Sequence, residues 1–116
     1  MAFEGSCHCG KVAFAVEADP PEQALSCNCS HCRRKGMLLA FFPAAQFTLT
    51  RGAEFLKSYF FYKHAIEHRF CAECGTEPFA HGRMPDGTET RAINLRCVET
   101  VDLDALAIEK IDGAKF

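Results

Sequence analysis

The chain has 116 residues, of which 48% are hydrophobic and 24% are charged, and its formal net charge is −2. This length predicts one domain, spanning residues 1–116, and the composition excludes a disordered chain. The slightly acidic balance argues against a protein that gains its affinity by neutralising phosphates, so a nucleic acid is not the expected partner. No apolar run reaches the ~18 residues of a membrane span, and the N-terminus lacks a secretory leader, so we expect a cytoplasmic protein without membrane contact.

Most of the sequence predicts short β-strands. In the first, Val12, Phe14 and Val16 alternate with polar or small residues, which is the pattern of a half-buried strand. Further strands are predicted over 37–42, 47–50, 66–71 and 93–97, with an aromatic-rich segment over 55–64 and breaks or turns at 18–22, 51–52 and 85–87. Only residues 103–111 favour a helix, of about two turns. The predicted fold class is therefore small and mainly β, with few helical turns.

Seven of the eight cysteines fall into three short clusters. Dense cysteines in a small chain without a secretory leader indicate metal binding rather than disulfides. The clusters are Cys7-His8-Cys9, then Cys27-Asn28-Cys29-Ser30-His31-Cys32, then Cys71-Ala72-Glu73-Cys74. Both side chains of a C-x-C pair on an extended chain point to the same face, and Gly75 after the last cluster can take the positive φ of a tight turn around an ion.

Zinc fits these clusters, because it prefers four nitrogen or sulfur ligands in a tetrahedron. The economical partition is one closed structural site and one three-ligand site with a vacant fourth position, which is the pattern of catalytic zinc. The closed site would use Cys7, Cys9, Cys71 and Cys74, and the open site would use Cys27, Cys29 and Cys32. Two alternatives stay open: Cys27 and Cys29 could join Cys71 and Cys74, or two purely structural sites could take His31 or another nearby histidine as the eighth ligand. We expect two zinc ions per chain.

The remaining candidate residues have a functional and a structural interpretation. Arg33, Arg34 and Lys35 directly follow the middle cluster and could attract an anionic ligand, or they could form a solvated basic loop. Cys97 is isolated on the apolar face of a predicted strand, which favours a packing role in the core. Four histidines are expected to be hydrogen-bonded structural residues: His8, His64, His68 and His81.

The three clusters and their flanking residues resemble the family of glutathione-dependent formaldehyde-activating enzymes and centromere protein V. The matching segments are 5–12 (GSCHCGKV), 27–36 (CNCSHCRRKG), 69–76 (RFCAECGT) and 93–97 (INLRC). The resemblance implies a zinc-bound, mostly β fold of the tent-like kind, built from several short antiparallel sheets, with two metal sites. It assigns the structural site to Cys7, Cys9, Cys71 and Cys74, and the catalytically implicated site to Cys27, Cys29 and Cys32.

The same resemblance implies a carbon–sulfur lyase reaction that reversibly joins glutathione to formaldehyde. In this hypothesis a zinc ion held by Cys27, Cys29 and Cys32 accepts a substrate thiol, which attacks the aldehyde carbon. Arg33 and Arg34 are the candidates for holding a carboxylate of that thiol. The competing hypothesis is a non-enzymatic zinc module that binds a protein or, against the acidic net charge, a nucleic acid.

Overall fold

Two β-sheets and one short α-helix make up the part of the chain that the computed structural model describes, residues 2–60 and 66–112. The strands are β1 (Phe3–Ser6), β2 (Ala13–Val16), β3 (Gln23–Cys27), β4 (Leu39–Pro43), β5 (Phe47–Arg51), β6 (Leu56–Tyr59), β7 (Glu67–Cys71), β8 (Phe79–Arg83), β9 (Glu89–Asn94) and β10 (Ala107–Ile111). The helix α1 spans Ser30–Lys35, and short 3₁₀ helices lie at Ala44–Gln46, Ala53–Phe55, Leu95–Cys97 and Leu103–Ala105. None of the helices in these ranges is long and apolar enough to cross a membrane. The prediction of a mainly β fold is confirmed.

The strands are divided between a small sheet and a large one. The small sheet has the order β1-β2-β5, and its neighbouring strands are antiparallel. The large sheet has the order β10-β3-β4-β9-β8-β7-β6. Its neighbours are antiparallel except for β10 and β3, which run parallel. Helix α1 connects β3 to β4 near one end of this order and contributes residues to the second cysteine cluster.

The main hydrophobic core joins the two sheets and is rich in phenylalanine. The ring centroid of Phe14 on β2 lies 5.6 Å from that of Phe47 on β5 and 6.2 Å from that of Phe79 on β8. The rings of Phe47 and Phe79 are 4.7 Å apart, so the three rings form one cluster across the sheets. Val12 and Val16 are fully buried beside them, as the alternating pattern predicts. Burying each such side chain contributes about 1.5–3 kcal/mol to stability.

A close backbone approach at Gly52 holds the end of β5 against the residues that precede β2. The φ angle of Gly52 is +93°, in the left-handed region that favours glycine. A Cβ atom there would collide with the carbonyl oxygen of Lys11 and with Cα of Val12. Next to it, Arg51 donates a hydrogen bond from Nε to the carbonyl oxygen of Gly10 at 2.9 Å. These contacts fix the turn after β1, which carries the first pair of cysteines.

Two predictions near the C-terminal end of the sequence are wrong. Residues 93–97 are not one strand, because the side-chain oxygen of Asn94 accepts a hydrogen bond from the N–H of Arg96 at 3.2 Å and a 3₁₀ helix begins there. Residues 103–111 do not form a two-turn helix; one 3₁₀ turn at Leu103–Ala105 is followed by β10. Because β10 pairs with β3, from a distant part of the sequence, this pairing overrides the local helical pattern.

The sequence prediction also omits several elements. Strands β1, β3 and β8 are short and mix small, polar and apolar residues, so they lack a clear alternation. Helix α1 has six residues, which is too few for a helical period to be recognised. Within the aromatic-rich segment over 55–64, strand β6 spans Leu56–Tyr59. Residues 61–64, including Tyr62 and His64, lie outside the described residues.

We predict that Gly52→Ala lowers the free energy of unfolding by more than about 2 kcal/mol, because left-handed strain adds to a collision with backbone atoms. Gly87→Ala is the matched control, since Gly87 has φ of +92° and a Cβ there meets nothing within 4 Å. That variant should lose only about 1 kcal/mol from strain. Urea unfolding measures both values, and equal losses at the two positions would contradict the close approach.

Candidate metal centres

The first group of cysteines joins two tight turns that are far apart in the sequence. One turn follows β1 and is closed by a hydrogen bond from the N–H of Gly10 to the carbonyl oxygen of Cys7, at 3.2 Å. Cys7-His8-Cys9 is thus a turn, not the extended pair that the sequence analysis assumes. The other turn follows β7, where the N–H of Gly75 donates to the carbonyl oxygen of Cys71 at 2.8 Å. Gly75 has φ of +79°, as predicted for this position.

The four sulfurs of this group have the spacing of a tetrahedral metal site. The Sγ atoms of Cys7, Cys9, Cys71 and Cys74 all lie within 4.8 Å of one another. Those of Cys7 and Cys9 are 3.6 Å apart, and those of Cys9 and Cys71 are 3.7 Å apart. Four Zn–S bonds of ~2.3 Å in a tetrahedron separate the sulfurs by ~3.8 Å, whereas a disulfide bond requires ~2.0 Å. The donor set therefore fits a zinc ion and does not fit a disulfide.

Two thiols of this group, Cys9 and Cys74, differ in how readily they form the thiolate, which is the form that binds metals. The N–H of Val12 donates to Sγ of Cys7 at 3.4 Å. The pKa of Cys74 is lowered to about 5: burial opposes this shift, but hydrogen bonds with Thr76 and with neighbouring backbone N–H groups outweigh it. The pKa of Cys9 is raised to about 11: a backbone hydrogen bond at Lys11 opposes this shift, but desolvation and hydrogen bonds with the other three thiols outweigh it.

The second group lies where β3 leads into α1. Cys27 is the last residue of β3, Cys29 is the N-cap of the helix and Cys32 lies in its first turn. Their three sulfurs lie within 4.8 Å of one another, and among the described residues this group has three donors. The N–H of Cys29 donates to Sγ of Cys27 at 3.5 Å, and the N–H of Cys32 donates to Sγ of Cys29 at 3.3 Å. Cys29 therefore caps the helix with sulfur where an oxygen is usual.

The second group is embedded in an apolar surface of the large sheet. Cys32 is buried against Leu39, Ala80 and Ala92, which come from three neighbouring strands. This burial raises the pKa of the Cys32 thiol. The pKa of Cys29 is lowered, because hydrogen bonds from backbone N–H groups, first that of Cys32, outweigh the opposing effect of burial. Cys29 therefore favours the thiolate and Cys32 the neutral thiol, although their sulfurs lie within 4.8 Å of each other.

The structure groups the seven sulfurs in the partition that the sequence analysis favours. Cys27 and Cys29 lie with Cys32 and not with the last cluster, and His31 belongs to a different group. Cys97 lies in a 3₁₀ helix rather than in a strand, and it is buried. Burial raises its pKa to about 12, which keeps it a neutral thiol in the core. Both sulfur groups are compatible with metal sites.

A third group contains two imidazoles and a carboxylate. His31 on α1, His68 on β7 and Glu77 before β8 place one ligand atom each within 4.8 Å of the others. Nδ1 of His68 is hydrogen-bonded to Oε2 of Glu77 at 2.9 Å, and Nε2 of His31 lies 3.4 Å from Oε1. Nζ of Lys35 lies 3.6 Å from the same Oε1. Burial, and then the neighbouring His68, lower the pKa of His31, while Glu77 opposes that shift.

Glu77 is the functional candidate that sequence reasoning misses. Its side chain is only 2% exposed, and an acidic residue is almost never buried so deeply unless it is paired. The only signal in the sequence is an acidic residue set directly between the motif CGT and the apolar pair Pro78-Phe79. Its three partners come from α1 and β7, so their proximity depends on the fold.

A cavity of about 640 Å³ lies beside α1 and opens onto the third group. It is lined by Ser30, His31, Arg34, Lys35, Tyr59, Phe70, Gly75 and Glu77. The lining includes chain neighbours of both sulfur groups but none of their cysteines. A helix turns by about 100° per residue, so the four lining residues of α1 share one face while Cys32 points to another. The cavity and the second sulfur group therefore use different faces of the same helix.

Only two of the three basic residues that follow the middle cluster line this cavity. Arg34 and Lys35 line the cavity, and Arg34 also donates from a guanidinium nitrogen to the carbonyl oxygen of Ser30 at 2.8 Å. Arg33 is exposed and is not part of the lining. Of the two arginines that the sequence analysis proposes for a substrate carboxylate, only Arg34 lies at the cavity, and Lys35 lies beside it.

Residues 2–109 match the family model described as glutathione-dependent formaldehyde-activating enzyme. The chain belongs to this family. The family that the cysteine motifs indicate is thereby confirmed, over nearly the whole length of the chain.

Two relatives show how far the likeness to this family extends. A Halomonas elongata protein, provisionally named a glutathione-dependent formaldehyde-activating enzyme, is 32% identical over 84 residues, which are 66% of this chain and 54% of that protein. The chain thus spans about half the length of this curated relative. The crystal structure of a Rhodobacter sphaeroides protein matches with a TM-score of 0.77 and 30% identity, covering 91% of this chain and 99% of the other.

Proposed function

We propose that this chain is a zinc-dependent carbon–sulfur lyase that adds a small thiol of the glutathione type to an aldehyde carbon, such as that of formaldehyde, and removes it again. The observation that carries the proposal is the three-sulfur group of Cys27, Cys29 and Cys32, whose helix also lines a basic cavity. Three protein ligands with an exchangeable fourth are typical of catalytic zinc. The family description supports glutathione and formaldehyde as the first candidates.

Two zinc ions are part of this proposal. The four-sulfur group of Cys7, Cys9, Cys71 and Cys74 would hold one ion, whose binding energy is also folding energy, because it ties together turns that are far apart in the sequence. The three-sulfur group would hold the other. An ion there, when bound, favours the thiolate form of a substrate thiol. Since all seven thiols must stay reduced, we also propose a cytoplasmic location, where thiols are kept reduced.

The reaction itself needs positioning rather than an oxidant. The S–H bond of the thiol breaks, a C–S bond forms at the aldehyde carbon, and the proton ends on the former carbonyl oxygen. The product is a hemithioacetal, and the reverse reaction breaks the C–S bond and restores the carbonyl. No electron is gained or lost overall. Holding the thiol and the aldehyde in a productive orientation is therefore the main contribution of the chain.

The cavity on the neighbouring face of α1 would contribute to that positioning by holding the carboxylate end of the thiol substrate, away from its sulfur. The guanidinium of Arg34 can bind a carboxylate through two hydrogen bonds, and Lys35 adds a second positive charge beside it. Tyr59 and Phe70 provide apolar wall for the rest of the substrate. A volume of about 640 Å³ lies within the range of ~300–1,000 Å³ that is common for small-molecule sites. We propose Arg34 as the residue that holds the substrate carboxylate, while Lys35, which is paired with Glu77, contributes its charge to the cavity.

We predict two zinc ions per chain in protein purified without a chelator, because the seven sulfurs form one closed and one open group. A mild chelator should remove one ion first, since a site with an exchangeable position gives the chelator access. Elemental analysis before and after chelation measures both counts. A folded protein without zinc would contradict the proposal.

We predict opposite consequences for cysteines of the two groups. Cys71→Ser should unfold or severely destabilise the protein, because structural zinc sites contribute about 10–16 kcal/mol of apparent binding energy to folding. Cys32→Ser should leave a folded protein with one zinc ion. Cys97→Ser is the control, since Cys97 lies outside both groups, and it should keep both ions. Thermal melts with zinc analysis test this; a less stable Cys32→Ser variant would reverse the two roles.

We predict that glutathione binds with a Kd of about 1 mM or lower, and that Arg34→Gln weakens this binding roughly 5- to 10-fold through loss of about 1 kcal/mol from a charge-assisted hydrogen bond. Arg33→Gln is the matched control, because Arg33 is exposed outside the cavity, and it should leave the Kd unchanged. Calorimetry measures the three affinities. Equal effects of the two substitutions would argue against this placement of the carboxylate.

The lyase activity itself is tested by adding formaldehyde to the glutathione complex. Magnetisation exchange between free glutathione and its adduct should be faster than in enzyme-free and zinc-stripped controls. Glutathione binding without acceleration would indicate a thiol-binding protein that acts on another carbonyl compound. Absence of glutathione binding would favour the competing hypothesis of a non-enzymatic zinc module.

A further inference from the structure

The group of His31, His68 and Glu77 is built differently from the two sulfur groups. Its donors are two nitrogens and a carboxylate, and each residue comes from a different segment, namely α1, β7 and the loop before β8. The side chains of His31, His68 and Glu77 are only 10%, 6% and 2% exposed. The burial and the convergence of the three ligand atoms distinguish this group from a hydrogen-bonded cluster of side chains on the surface.

The rings around this group fix the directions of its donors. The ring centroids of His31 and His68 are 3.9 Å apart, and Tyr59 stacks on His31 with centroids 5.8 Å apart and an interplanar angle of 16°. Oε2 of Glu77 contacts His68 and Oε1 faces His31, so the carboxylate lies against both imidazoles. This packing holds the three ligand atoms within 4.8 Å of one another, and none of them is a sulfur.

We propose that His31, His68 and Glu77 form a third metal site, which binds a divalent transition-metal ion other than the two held by cysteines. Two imidazoles and one carboxylate are a donor set that takes zinc, cobalt or iron and leaves coordination positions open. His31 and Glu77 line the cavity of about 640 Å³, so the open positions face the space that a small molecule would occupy. The proposal goes beyond the thiol chemistry described above and does not require it.

Lys35 sets the affinity of this site. Its Nζ lies 3.6 Å from Oε1 of Glu77 and 5.6 Å from the centre of the Phe70 ring, so it can move off the carboxylate while keeping contact with the ring. An ammonium and a metal ion compete for the same carboxylate oxygen. Removing the ammonium without removing a ligand should therefore strengthen metal binding.

The test uses the zinc-loaded full chain, titrated with Co²⁺ and then separated from free metal by gel filtration. Elemental analysis should find one cobalt per chain and an unchanged zinc content. His31→Ala should lose the cobalt, and so should Glu77→Gln if that variant folds, as circular dichroism will show. His81→Ala is the control, since His81 also faces a carboxylate, Nδ1 at 3.4 Å from Oε1 of Glu67, outside the group; it should keep the cobalt. Lys35→Gln should bind Co²⁺ about threefold more tightly or better.

Three results would overturn the proposal. They are a zinc-loaded chain that retains no cobalt, cobalt that replaces zinc one for one, and cobalt retention that is unchanged in His31→Ala. Because the readout is metal content, failure of glutathione binding or of the lyase assay leaves this result untouched, and the two proposals can fail separately.

Discussion

Isolated helices shorter than ~12–15 residues are marginal in water, so the six-residue helix α1 depends on its caps and on its contact with the large sheet. The sulfur of Cys29 caps its first turn by accepting a hydrogen bond from the N–H of Cys32. Gly36 ends it with φ of +67° and donates to the carbonyl oxygen of Cys32 at 2.9 Å. Between the caps, Cys32 packs on Ala80 and Ala92. One residue therefore anchors the helix to the sheet and contributes a sulfur to a candidate site.

Because α1 turns by about 100° per residue, neighbours in its sequence face different environments. Cys32 faces the apolar sheet, whereas His31 and Lys35 face the cavity. The basic residues lie in the last turn, where positive charge interacts favourably with the helix dipole. The helix thus separates the three-sulfur group from a cavity that Arg34 and Lys35 line with positive charge. A helix of fewer than two turns therefore contributes residues both to the second sulfur group and to the cavity.

The sequence predicts those parts of the site that depend on local spacing and leaves out those that depend on the fold. Cysteine spacing is sufficient to bring together the sulfurs within each cluster, because each cluster needs only a turn or a cap to converge. The joining of the first cluster to the third depends on the fold, and the spacing alone leaves another pairing open. The alternation of Val12, Phe14 and Val16 likewise identifies β2, since its inward face is buried throughout. Residues 103–111 mislead, because their strand exists only through pairing with β3. The sequence prediction misses Glu77, because its burial depends on contacts with α1 and β7 and produces no periodic pattern of hydrophobic residues in the sequence.

The four-sulfur group also constrains the order of events while the chain is being made. Cys9 and Cys71 are separated by 62 positions, yet their sulfurs lie 3.7 Å apart. At a synthesis rate of ~5–20 residues per second, the first pair of thiols leaves the ribosome roughly 3–12 s before its partners leave it. During that interval the turn after β1 has half of its donors, and oxidants or other metals compete for them. The thiols of the nascent chain therefore depend on a reducing environment before the hydrophobic core has formed.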